Sequence, residues 1–268
     1  MTTVGTVWFV GAGPGDPELL TLKGQKLIAR AGAVLYAGSL VSEAALRWVP
    51  EGCNVADSKG MTHQQISDWL VDRAGRHDTV VRLQTGDPSL YGALVEMIRP
   101  LDRKGIPVQV VPGVTSAMAS AAVALESLTL PEVTQTVIFT RVAGRTPMPE
   151  GENLADLARH GTTLCIYLSV TLLTEVCDAL REAGWRGDAP ILVLQKASWP
   201  GQERIVRGNI ADIAKRCRTE GIKSQAMIIA SPTLGARQWT ELKYSKLYDA
   251  AFLHRFRTGQ GRTGDDDG

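Results

Sequence analysis

Three stretches hold residue types suited to ligand chemistry, and each follows an apolar run. Gly11-Ala12-Gly13-Pro14-Gly15-Asp16-Pro17 follows Val7-Trp8-Phe9-Val10, Gln84-Thr85-Gly86-Asp87-Pro88 follows Thr79 to Leu83, and Pro112-Gly113-Val114-Thr115-Ser116 follows Val108 to Val111. Glycine lets a backbone turn tightly and approach a ligand, and the start of a helix offers free amides. A strand, Gly-x-Gly and helix would ordinarily suggest a dinucleotide site. Three details count against one. Pro14 removes an amide, and Asp16 stands where the third glycine of that fingerprint belongs, placing negative charge where a phosphate would sit. The second strand ends Tyr36-Ala37-Gly38-Ser39, without the acid that holds a ribose. Asp16 and Asp87 are good N-caps, each followed by a proline suited to the first helical position. Acidic caps fit a ligand that is neutral or cationic where it meets them; helix capping alone is the competing reading.

The elements that must position these turns alternate in kind. After the first turn a helix is expected at once, with Leu19, Leu22, Leu27 and Ile28 on its apolar face, and a strand from Ala33 to Tyr36. A short helix near Ser42 to Trp48, a strand at Cys53 to Ala56, a helix from His63 to Ala74 and a strand from Thr79 to Leu83 follow. The second turn enters a helix predicted over Ser89 to Arg103, and the third leads into a run of small residues from Ala117 to Ala122. The class is therefore α/β, with a mostly parallel first sheet covered on both faces. The rhythm breaks between Glu126 and Pro131. Strands are then expected at Thr134 to Thr140, Thr163 to Leu168, Ile191 to Leu194, Arg204 to Arg207 and Ala226 to Ala230, with helices at Thr171 to Ala183 and Ile210 to Thr219. A short Pro-Gly connection before Arg204 predicts an antiparallel pair and so a mixed second sheet. The expected units are 1–127, 128–243 and a tail at 244–268 that is disordered from Gly259 on, where Gly, Arg and Asp prevail.

Composition narrows the partners. A formal net charge of +1 over 268 residues gives no general attraction to nucleic acid or to an anionic membrane, so an anionic ligand must be met by local basic residues. The most apolar run, Ala117 to Leu125, is far shorter than the ~20 residues that cross a bilayer, and the first strand begins without a signal peptide. A cytoplasmic protein is expected. Cys53, Cys165, Cys177 and Cys217 are far apart, as are His63, His77, His160 and His254, so neither a disulfide framework nor a metal site is suggested.

Taken in order, the three turns, with Arg82-Leu83 leading the second and Ala117 closing the third, resemble the signatures of the tetrapyrrole (precorrin) methyltransferase family over about residues 5 to 235. Asp57 to Thr62 and the run from Pro131 to Pro147 look most like the branch that acts on C-11 of precorrin-4 in cobalamin biosynthesis. The resemblance implies S-adenosylmethionine, held in a trough between two α/β domains and released as S-adenosylhomocysteine, and a homodimer. Carried over by position, the cofactor contacts fall on Pro14, Thr85, Gly86, Asp87, Leu90, Thr115 and Ser116, and in the second half on Leu168, Ala197 and Ala230. Where the uroporphyrinogen branch has Asp this chain has Ala37, so no catalytic carboxylate carries over there. The implied reaction is direct displacement of the methyl group by an electron-rich ring carbon. Alignment alone can remove ~7–11 kcal/mol of a barrier, so no dedicated nucleophile is expected. The implied tetrapyrrole bears acetate and propionate groups, for which Arg82, Arg141 and Arg145 are the candidates. Tyr91 and Met61 are candidates to pack against the flat ring, or equally to lie in a core. The rival readings are a nicotinamide oxidoreductase, a nucleotide-sensing module without chemistry and, inside the family, a methyltransferase for another precorrin ring carbon, for cobalt-precorrin-4 or for diphthamide precursors.

Overall fold

The computed structural model describes residues 4–38, 40–242, 244–248 and 252. The stretch from Gly259, expected to be disordered, lies outside the described residues.

The first half forms five parallel strands in the order β3-β2-β4-β1-β5, namely β1 (Thr6–Gly11), β2 (Ala33–Tyr36), β3 (Asn54–Asp57), β4 (Thr79–Gln84) and β5 (Val108–Val111). Helix α1 (Leu22–Ile28) buries Leu27 and Ile28 against Val10, Val34, Val81 and Leu83 on one face. Helices α2 (His63–Ala74) and α3 (Leu94–Asp102) bury Leu70, Met97 and Leu101 against Val7, Phe9, Leu35 and Val80 on the other. Thr62 and Gln65 close a capping box at the start of α2, where the periodicity placed the helix.

The second half is a mixed sheet in the order β6-β7-β10-β8-β9. Its strands are β6 (Val137–Arg141), β7 (Thr163–Tyr167), β8 (Pro190–Gln195), β9 (Arg204–Asn209) and β10 (Ala226–Ala230). Only β6 and β7 are parallel within it, and β8 and β9 form the expected antiparallel pair. Helix α4 (Ser116–Ala124) covers one face, while α5 (Leu154–Ala158), α6 (Leu173–Glu182) and α7 (Ile213–Thr219) cover the other. Thus α4, which follows the first sheet in sequence, packs its alanines on the second. Ala117, Ala119, Ala121 and Ala124 bring the helix close to Cys165, Leu192, Leu194 and Ile229, and this packing joins the halves.

Several boundaries differ from expectation. Pro17–Leu19 is a single 3-10 turn capped by Asp16, and α1 begins only after Thr21, whose hydroxyl accepts from Gly24 N–H. The helix predicted over Ser89 to Arg103 begins at Leu94, because residues 88–93 form turns in which Tyr91 and Ala93 take positive φ. Likewise Val170–Leu172 is a 3-10 turn before α6, and the strand predicted from Thr134 begins at Val137. All four cysteines are free. Burial pushes the Cys165 thiol up to about 12 and raises Cys217, with help from Cys177 and Glu220, to about 11, so both stay protonated at neutral pH.

Candidate functional site

Strands β4, β1 and β5 are neighbours, so the three glycine-rich turns leave one edge of the first sheet side by side. The turns touch backbone to backbone. Gly13 and Gly86 exchange N–H···O=C bonds of 3.3 and 2.8 Å, and Ala12 N–H donates to the Gln84 carbonyl at 2.6 Å. At Gly113 an added Cβ would stand 2.1 Å from the Gly86 carbonyl oxygen and 2.8 Å from the Gly11 Cα. At Gly11 it would stand 2.6 Å from both the Gly113 Cα and the Gly86 oxygen. Glycine is required here because three main chains meet where side chains would otherwise lie. Asp87 locks the arrangement. Its Oδ1 accepts from Ser89 N–H at 2.8 Å, and its Oδ2 accepts from Gly113 N–H at 2.9 Å, tying the second turn to the third.

The second half closes over this edge. Trp199 Nε1 donates to the Pro14 carbonyl at 2.9 Å, and Asp16 N–H donates to Ser198 Oγ at 3.2 Å. A Cβ at Gly15 would lie 2.1 Å from the Trp199 ring, so this glycine makes room for the indole. Lys196 and Ser198 adopt positive φ, as does Leu168 after β7. Between the halves lies a cavity of about 330 Å³ with mainly apolar walls, within the size range of small-molecule sites. Tyr167 forms part of its wall; its hydroxyl is 2.7 Å from Thr115 Oγ1, and burial pushes the phenol up to about 12, so it is protonated at neutral pH. Tyr91 and Phe139 pack on the Tyr167 ring, with centroids 5.3 and 5.8 Å away.

Pro14, Thr85, Gly86, Asp87, Leu90, Thr115 and Ser116 line the cavity from the first turns and α4, and Leu168 and Ala197 line it from the second half. Ala230 does not. It is fully buried at the end of β10, in the core that α5, α6 and α7 cover, and the cavity meets Ala226 and Met227 at the start of that strand instead. Asp16 is also off the wall, so the picture of two acidic turns cupping one ligand reduces to Asp87; Asp16 is a cap whose Oδ1 accepts from Glu18 N–H.

The arginines separate as well. Arg82 is 5% exposed and points into the α2–α3 face of the sheet, where it donates to Ser58 Oγ at 2.9 Å. Burial pulls its guanidinium down to about 10, against the pull of nearby Asp57, so it stays charged at neutral pH without reaching the cavity. Arg141 is spent on its own loop, donating to the carbonyls of Val142, Thr146 and Pro147. Arg145, carried by that loop, is exposed and makes no hydrogen bond or ion pair among the described residues. Met61 packs against the core of the first half, whereas Tyr91 is 45% exposed and lines the cavity. Sequence reasoning missed Tyr167, Leu194, Trp199 and Met227. Leu194 and Met227 alternate like ordinary strand residues, and only the pairing of β8 with β10 shows which face meets the cavity. No three His, Cys, Asp or Glu side chains are grouped to hold a metal among the described residues.

Two α/β layers, a glycine-packed edge and a cavity walled by both halves define the class: the chain belongs to the tetrapyrrole (corrin/porphyrin) methylases, whose family model matches residues 6–214. It is 45% identical over 255 residues to the precorrin-4 C(11)-methyltransferase of Pseudomonas aeruginosa, covering 95% of this chain and 100% of that one. The crystal structure of a cobalt-precorrin-4 methyltransferase of cobalamin biosynthesis superposes with a TM-score of 0.82 at 46% identity, covering 84% of this chain and 94% of that one. Uroporphyrin-III C-methyltransferase from Thermus thermophilus, in complex with S-adenosylhomocysteine, gives a TM-score of 0.72 at 33% identity, covering 87% and 94%.

Proposed function

We propose that this protein transfers the methyl group of S-adenosylmethionine to C-11 of precorrin-4 in cobalamin biosynthesis, giving precorrin-5 and S-adenosylhomocysteine, with cobalt-precorrin-4 as the alternative substrate. The observation that carries this reading is the convergence of all three glycine-rich turns and the Leu168 and Ala197 loops on one cavity. Bound there, the cofactor supplies an electrophilic methyl group on a sulfonium centre.

The chain's own part is positioning. The cavity fits the group: its walls are mainly apolar, glycine backbone forms one edge, and Asp87 sets a carboxylate on the wall that suits a positive centre. Pro14, Thr85, Gly86, Asp87, Leu90, Thr115, Ser116, Leu168 and Ala197 form the cofactor site in this reading. The phenol of Tyr167 is held protonated and so is no base at neutral pH, which agrees with a displacement that needs alignment and no protein nucleophile. Exposed Tyr91, packed at a tilt against Tyr167, offers an aromatic surface to the flat tetrapyrrole.

Of the three candidate arginines, Arg145 has a guanidinium available for substrate carboxylates, Arg141 shapes the loop that carries it, and Arg82 is buried in the first sheet against Ser58. Arg145→Ala is expected to raise KM for the tetrapyrrole by about tenfold, the size of one charge-assisted hydrogen bond at an exposed site, while the Kd for S-adenosylhomocysteine is unchanged. An unchanged KM removes Arg145 from the substrate site.

Incubation with labelled S-adenosylmethionine and separate precorrins tests the reaction itself. Label at C-11 of precorrin-4 or its cobalt form is the expected outcome; label at another ring carbon, or none on any tetrapyrrole, overturns the assignment. We place the enzyme in the cytoplasm as a homodimer, in line with the family resemblance, with free cysteines and with apolar side chains exposed at Met118, Leu125 and Ile205 for a second copy to cover. Sedimentation of the intact chain as a monomer at micromolar concentration would contradict the dimer.

A further inference from the structure

Three buried hydroxyls have no hydrogen-bond partner among the described residues: Ser67, Ser120 and Thr162. Of these, Ser120 alone lines the cavity between the halves. It is fully buried, one turn beyond Ser116 on α4, so both hydroxyl residues face the same side of the helix. An unpaired buried hydroxyl forfeits a hydrogen bond that water would have supplied, so a ligand that restores the bond gains affinity from it. The surroundings specify the ligand further. Leu194, Ala197 and Met227, each at most 5% exposed, form an apolar floor from strands β8 and β10 and the turn after β8. Such a floor beside an unpaired hydroxyl suits a flat apolar ring that has heteroatoms along its edge. Asp87 and Thr85, by contrast, stand at the first-sheet edge.

We infer that Ser120 orients the cofactor by donating its hydroxyl hydrogen to a ring nitrogen of the purine, which lies on the floor made by Leu194, Ala197 and Met227. This rests on the methyltransferase reading and adds a specificity contact to it. The bond selects a purine with an acceptor at that edge and fixes how the nucleoside end sits, while Asp87 meets the cavity from the second glycine-rich turn. The helix around Ser120 is built of alanines, so Ser120→Ala changes one oxygen and keeps the packing.

Calorimetry on the full chain with S-adenosylhomocysteine and its 1-deaza, 3-deaza and 7-deaza analogues tests the inference. Ser120→Ala is expected to bind S-adenosylhomocysteine about 5- to 10-fold more weakly than the unaltered protein. The two proteins should bind equally the one deaza analogue that lacks the nitrogen Ser120 serves. Equal affinity of variant and unaltered protein for S-adenosylhomocysteine overturns the inference, as does the same loss for all four ligands. If the unaltered protein fails to bind S-adenosylhomocysteine, the methyltransferase reading falls and this contact with it; equal binding by both proteins removes the contact alone.

Discussion

Gly113→Ala is expected to lose cofactor binding to below detection while keeping the secondary structure of both halves. The added methyl would stand 2.1 Å from the Gly86 carbonyl oxygen and 2.8 Å from the Gly11 Cα, and neither is the end of a side chain that can swing away. Relief requires the third turn to withdraw from the other two. Overpacking of this kind costs ~3 kcal/mol or more when backbone must yield. Withdrawal also carries the Gly113 N–H away from Asp87 Oδ2, breaking the 2.9 Å bond that ties the turns, and displaces Thr115 and Ser116 at the start of α4. Far-ultraviolet circular dichroism checks the fold, and calorimetry with S-adenosylhomocysteine checks the site. Unaltered affinity in Gly113→Ala would show that the packing of the turns does not shape the cavity.

Asp87→Asn is expected to separate structural from electrostatic effects at the same place. Asn keeps one oxygen for a backbone N–H and loses the second acceptor and the negative charge, leaving either Ser89 or Gly113 N–H without its partner. Losing a hydrogen bond to a charged group costs ~1.5–3 kcal/mol, so both S-adenosylmethionine and S-adenosylhomocysteine should bind about 10- to 100-fold more weakly. The loss should be larger for S-adenosylmethionine, whose sulfonium is attracted by the carboxylate, than for the uncharged thioether product. Equal losses would mean that Asp87 only braces the turns, as Asp16 braces the 3-10 turn at Pro17.

The contrast between these two aspartates shows what a sequence can and cannot reveal. Both precede proline after a glycine turn, and both accept a backbone N–H two residues on, which local chemistry makes legible. Only Asp87 has a second oxygen engaged 26 residues away, at Gly113, and that contact depends on β1 lying between β4 and β5. The glycine turns, the parallel first sheet and the antiparallel β8–β9 pair were readable because strand periodicity and turn residues are local signals. The start of α3 was not, since nothing between Ser89 and Ala93 forbids a helix by residue type, and the positive φ of Tyr91 and Ala93 that delays it leaves no mark in the sequence. Arg82 looked like a ligand-facing charge from its position beside the second turn. The alternation of β4 turns it to the α2–α3 face, and only the pairing with β1 and β2 shows that this face is covered. Trp199 gave no signal at all: its partner, the Pro14 carbonyl, is 185 residues distant.

The most direct test of the central claim is a calorimetric titration of the purified chain with S-adenosylhomocysteine and, separately, with NADH. Saturable binding of S-adenosylhomocysteine at one site per chain, displaced by S-adenosylmethionine, with no heat from NADH, is the predicted result. Tight binding of NADH with none of S-adenosylhomocysteine would contradict the account.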